Sequence, residues 1–147
     1  RLGRRSLLAV LRFFPNTFQN IVFLSVGVIN SEFFKRGEVE SLERRTEETL
    51  KGYVAIANRL GLPARYSSRV GTDIVREASE LCVEIAKQYP SAMFFAGELI
   101  FEKPNWFDRI LHNETAYAIQ RQIRFAGLPM VILPLVLHSE EDEDGEG

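Results

Sequence analysis

The chain predicts an open α/β domain whose four parallel strands lie in the spatial order 2-1-3-4 with helices on both faces. Three observations lead there. Runs that are apolar on both faces alternate with stretches of helical spacing, which gives a β-α-β-α-β-α-β string. The runs are rich in β-branched and aromatic residues, as strands covered on both sides require. Crossovers long enough to hold a helix force parallel pairing with right-handed connections. At 147 residues, the chain is the usual size of one domain and can bury a full core unaided.

Ser6 to Phe14 sets Leu7, Leu8, Val10, Leu11 and Phe14 among arginines, a short amphipathic helix closed by Pro15, and it reads as an appendage to the domain. Ile21 to Val28 is apolar throughout and forms a central first strand. Val39, Leu42, Thr46, Leu50, Tyr53, Val54, Ala57 and Leu60 recur at helical spacing, and Gly61 with Pro63 stops that helix. Ala64 to Val70 is a shorter, more polar strand suited to an edge. Thr72 is the expected N-cap of the next helix, with Asp73 favourable to its dipole; Ile74, Val75, Ala78, Leu81, Cys82, Ile85 and Tyr89 mark its buried face, and Pro90 ends it.

Ala92 to Gly97 is a second buried strand. Pro104-Asn105 opens a helical region carrying Trp106, Phe107, Ile110, Leu111, Ala118, Ile119 and Ile123, which Gly127 terminates. Met130 to Leu137 is the last strand, and Pro134 within it argues for an edge. The expected strands fall near residues 20–29, 64–70, 92–98 and 129–137. The division is an amphipathic segment at 1–18, the α/β domain at 19–138 and an acidic, solvated and disordered tail at 139–147.

The longest nearly uncharged runs, Ile21 to Asn30 and Leu128 to Leu137, are about half the roughly 20 residues a membrane-spanning helix needs. Four arginines crowd the start and six acids the tail, so the body between them is neutral and no nucleic-acid footprint is expected. The single Cys82 has no disulfide partner, and no signal-peptide pattern opens the chain, so a reducing cytosol fits.

Several local strings carry a resemblance: Phe14-Pro15 before Asn20 to Val28, Leu60-Gly61-Leu62-Pro63, Gly71-Thr72-Asp73, Phe94-Phe95-Ala96-Gly97, and His112-Asn113-Glu114-Thr115-Ala116. Over residues 12–137 the chain resembles the cytosolic C-terminal domains of bacterial permeases of the amino acid-polyamine-organocation superfamily. The resemblance implies a Rossmann-like, universal-stress-protein-like fold that follows the last transmembrane helix and regulates or assembles the transporter, without catalysis. It also implies a location on the cytoplasmic side of the cell membrane, with the transmembrane part of the same permease and a second copy of the domain as partners. Independently, Arg1, Arg4 and Arg5 form the kind of cluster that flanks a membrane segment on its cytoplasmic side; a solvated helix start explains them equally.

In such a sheet, ligands bind beyond the strand C-termini where strand order reverses, here between strands one and three. The candidate ligand-binding residues are Asn30, Ser31, Gly97, Glu98, His112, Asn113 and Thr115. Universal stress proteins that hold ATP are similar in layout but carry an aspartate where Asn30 stands and a glycine-spaced phosphate loop of which only Gly97 remains. Without those glycines the backbone approaches phosphates less closely, so ATP is expected to bind weakly or not at all. No resident cofactor is expected, and a nucleotide, including a cyclic dinucleotide, is the ligand of the alternative reading as a sensor.

The ordinary explanations stand beside these. Asn113 can act as a cap or kink, His112 as a surface residue, and Glu98 with Glu102 as a solvated loop. His112 and His138 lie in different elements with no further ligand at metal spacing, so no metal site is expected. Cys82 falls on the apolar face with Ala78 and Ile85, the position of a small core residue, and Ser25 lacks a nucleophile elbow. Trp106 and Phe107 suit either the core or a docking surface, and Arg109, Arg121 and Arg124 either a solvated face or an anionic partner. The apolar last strand, placed at an edge, offers itself to a twofold dimer unless the N-terminal helix covers it.

Overall fold

The computed structural model describes residues 2–29, 35–101 and 106–137, with side chains described at 3–29, 35–97 and 114–136. In chain order the elements are α1 (Leu2–Phe13), β1 (Ile21–Val28), α2 (Arg36–Arg59), β2 (Ala64–Gly71), α3 (Ile74–Gln88), β3 (Phe94–Phe101), α4 (Trp106–Arg124) and β4 (Met130–Leu137). The expected alternation is present, with each strand within a few residues of its predicted bounds. The expected tail, 139–147, lies outside the described residues.

The strands form two parallel pairs. β1 runs beside β2 from Ile21 opposite Ala64 to Val28 opposite Gly71, and β3 beside β4 from Phe94 opposite Met130 to Phe101 opposite Leu137. β1 and β3, expected to pair at the centre of one sheet, are not hydrogen-bonded to each other among the described residues. Among the described residues all four strands have one strand neighbour each, so the expected edge positions of β2 and β4 are not set apart from those of β1 and β3.

Alternation along β1 shows how the layers are arranged. Val22, Leu24 and Val26 pack against the cluster formed by Leu81, Cys82 and Ile85 of α3, Phe94 of β3 and Ile123 of α4. The opposite face carries Phe23, whose ring centroid lies 5.7 Å from that of Tyr53, and Gly27, which abuts Leu42 of α2. Helices α3 and α4 therefore cover one face. The βαβ crossovers supply only α2 to the other, which would leave the apolar β3–β4 pair bare on that side.

That space is filled by α1, and the reading of α1 as an appendage is corrected here. Leu7 and Val10 are 4% and 6% exposed, and α1 packs on β3, β4 and α2. The Arg5 guanidinium donates to the Val136 carbonyl at 2.9 Å. A Cβ on Gly3 would run into the Tyr53 ring, so the glycine lets α1 close on α2. At the other end of α1 the rings of Phe14, Phe18 and Phe95 meet edge-on or tilted with centroids 5.4–6.1 Å apart. An apolar sheet face is unfavourable when wet, and a helix with one apolar stripe is the cover within reach.

Helix ends follow local chemistry. Gly61 and Gly127 adopt positive φ (84° and 74°), and the amides of Leu62 and Leu128 reach back to the carbonyls of Ala57 and Ile123, closing α2 and α4 as the glycines predict. The cap of α3 is Asp73, whose carboxylate accepts from the Arg76 amide at 3.2 Å, in place of the expected Thr72. Asp73 prevails over its neighbour because its charge both caps the first turn and complements the helix dipole. Arg69 of β2 gathers Glu77 (3.5 Å), Glu80 (3.0 Å) and Glu84 from one stripe of α3, tying the edge strand to its helix.

Candidate functional site

Between β1 and β3 the two strand pairs leave a cleft of about 1100 Å³. It runs through the gap in the sheet, from α1 and α2 on one face to α3 on the other. Its walls are mostly apolar: Leu7 and Val10 of α1, Leu50 of α2, Leu81 and Ile85 of α3, and Phe94 of β3. Polar residues are also part of its lining, among them Asn20, Ser25, Thr46, Thr49 and Gln88. Among the described residues Arg45 is its one cationic side chain, and neither a carboxylate nor a histidine lines it.

The described lining reaches the N-terminal ends of β1 and β3, through Thr17 to Asn20 and Gln88 to Met93, and follows the strands as far as Val26 and Gly97, whereas open α/β sheets hold ligands beyond the strand C-termini. Of the predicted site residues, Gly97 lines it, but from within β3, where Glu98 also lies, and not from a loop beyond the end of the strand as expected. Thr115 lies on α4, half-buried, and is not part of the lining. Asn30 and Ser31 lie outside the described residues, and the side chains of Glu98, His112 and Asn113 outside the described side chains.

Gly97 has a packing reason to lack a side chain. A Cβ there would stand 2.5 Å from Leu135 Cδ1 and 3.3 Å from Ser6 Oγ, so the glycine admits Leu135 of β4 and the α1 helix above it. This accounts for the residue without any phosphate. Cys82 lines the cleft on the α3 side but is 4% exposed, and burial pushes its thiol up to about 11. Since the thiolate is the reactive form, Cys82 is a core residue at neutral pH.

The facing edges of β1 and β3 contribute backbone groups instead of chemistry. Among the described residues each has its ladder on one side, so its inward N–H and C=O groups look across the cleft, where buried peptide groups need partners. Sequence reasoning missed α1 as a wall of this cleft; the signal was present in the double-sided apolarity of β3 and β4, which demands more cover than three crossovers give. Among the described residues no cluster of three or more His, Cys, Asp or Glu could hold a metal, and no helix is long and apolar enough to cross a membrane. Comparison of the chain with family models, curated proteins and solved structures found no match.

Proposed function

We propose that the chain is a regulatory and assembly domain of a membrane permease, on the cytoplasmic side of the cell membrane and without catalytic activity. The observation that carries this reading is the docking of α1. A basic amphipathic helix at the start of the chain is built into the core through Leu7 and Val10 and latched to β4 through Arg5. A displacement of whatever precedes residue 1 would be passed directly to the β3–β4 pair. That is the mechanical property a domain needs if it is to bias a transporter between states.

In this reading the two strand pairs are halves of one universal-stress-protein-like sheet, ordered 2-1-3-4. The inward peptide groups of β1 and β3 support that order, because pairing with each other satisfies both rows at once. The surface for a second copy is what α1 leaves free along β4: Val136 is 39% exposed, although Arg5 already takes its carbonyl and Leu133 and Leu135 are buried. The test is the gene: its reading frame extended upstream of Arg1 should encode about twelve apolar segments of roughly 20 residues each, and the expressed product should fractionate with membranes. A frame that opens at or near Arg1 overturns the assignment.

A second reading, favoured by the cleft, makes the domain a nucleotide sensor for the same transporter. Calorimetric titration separates the two. ATP should give no saturable heat at micromolar concentrations, because no glycine-rich loop lines the cleft among the described residues. A sensor would instead bind AMP, ATP or a cyclic dinucleotide with an affinity reduced by an Arg45→Ala substitution at the cleft's cation.

A further inference from the structure

The neutral body conceals a separation of charge. Four turns lead into the four strands, and three contacts join them side by side: the Ile21 amide to the Pro63 carbonyl (3.0 Å), the Phe18 ring to the Phe95 ring (5.5 Å), and the Phe94 amide to the Pro129 carbonyl (3.1 Å). Together they make one end face. The segments that build it, 10–22, 54–66, 85–97 and 115–131, contain no aspartate or glutamate. They carry Arg12, Arg59, Arg65, Lys87, Arg121 and Arg124, all exposed. Helix dipoles explain part of this, since every helix presents a basic residue in its last turn.

Dipoles do not explain the apolar residues between those bases. Each of the four connections exposes one large apolar side chain: Phe13 at 55%, Leu60 at 50%, Met93 at 40% and Phe125 at 91%. The Arg12 guanidinium lies 5.6 Å from the centroid of the Phe13 ring. Long cationic stems around apolar tips are the composition that settles into a headgroup layer, the charges at the phosphates and the tips just beneath.

We propose that this end face docks on an anionic lipid bilayer. Charge complementarity selects the occupant, because a face without carboxylates meets a negative surface with no repulsion to offset the attraction. Leu60 and Met93 argue for lipid over nucleic acid, since neither offers a base a hydrogen bond or a stacking plane. The inference does not rest on the permease assignment and differs from it in orientation, since the start of α1 lies beside Val136 near the end of β4 and this face lies where the strands begin; it is read on the chain by itself.

The test is co-sedimentation of the chain with vesicles of phosphatidylcholine alone and of phosphatidylcholine with an equal part of phosphatidylglycerol. Binding should appear only with the anionic vesicles and weaken as salt rises from about 0.05 to 0.5 M. Phe125→Ser, which keeps the charge, should lower the partition coefficient about tenfold. Arg121→Glu with Arg124→Glu should lower it at least as much, while Arg44→Glu, an exposed site on α2, should leave it unchanged; circular dichroism confirms folding of each. Failure to bind anionic vesicles overturns the proposal. So does equal sensitivity to Arg44→Glu, or heparin binding with a vesicle affinity indifferent to Phe125→Ser, which would make the face a site for polyanions.

Discussion

Replacing Leu7 with alanine should lower the unfolding free energy by about 2–5 kcal/mol, the range for emptying a buried leucine site. Against a typical domain stability of about 5–15 kcal/mol, that is a large fraction, and it will emerge as a shift of the urea midpoint. Leu7 is 4% exposed and sits over the apolar face of the β3–β4 pair, so its loss leaves a void that neither α1 nor the strands can fill without moving. Leu8, one position on and 44% exposed, is the internal control. Its alanine variant should stay within about 0.5 kcal/mol of the parent. If both substitutions are equally mild, α1 is not part of the cooperative fold.

A Gly97→Val substitution should cost about 1–3 kcal/mol through overpacking, because the new Cβ would meet Leu135 and Ser6. The informative measurement is the double variant. Leu135→Ala alone empties a buried site, but when combined with Gly97→Val the added methyls occupy that space. The combined loss should therefore fall short of the sum of the single losses by about 0.5–3 kcal/mol. Strict additivity would mean that the glycine is required by something other than Leu135, and a ligand in the cleft would return as its reason.

Much of the architecture was legible because each element states its own period. Val22, Leu24 and Val26 against Phe23 and Gly27 announce a strand covered twice, and Gly61 and Gly127 announce helix ends that a left-handed residue closes. What stayed hidden was relational. Nothing in Ser6 to Phe14 tells whether its apolar stripe meets solvent, lipid or the domain's own sheet; the answer lies in the uncovered face of β3 and β4, far along the chain. The Phe14–Phe18–Phe95 cluster and the Ser6–Gly97 approach belong to the same class of long-range contact. The choice of Asp73 over Thr72 as cap was a one-residue competition that propensity alone does not resolve. For the candidate site, the residues named from sequence were Asn30, Ser31, Gly97 and Glu98 at the expected strand ends with His112, Asn113 and Thr115 in the last helical region, and of those with described side chains only Gly97 reached the cleft. The cleft's extent follows from how the two strand pairs stand, which no local spacing encodes.

The attachment of β2 to α3 through Arg69 has a consequence for behaviour on heating. Three glutamates share one guanidinium, which is 24% exposed, while Glu77 is 18% exposed. Separate surface pairs would contribute little at room temperature, but a shared network gains as hydration of charge becomes less favourable in hot solvent. The outer strand should therefore stay fastened to its helix at temperatures where the apolar contacts of α1 are already loosening. A lysine would not substitute in the same geometry, since the guanidinium meets Glu77 and Glu80 through one nitrogen and Glu84 through the other, whereas an ammonium presents all its donors from one point. Thermal unfolding would then begin at the β3–β4 side, with the β1–β2–α3 unit the last part to lose its order.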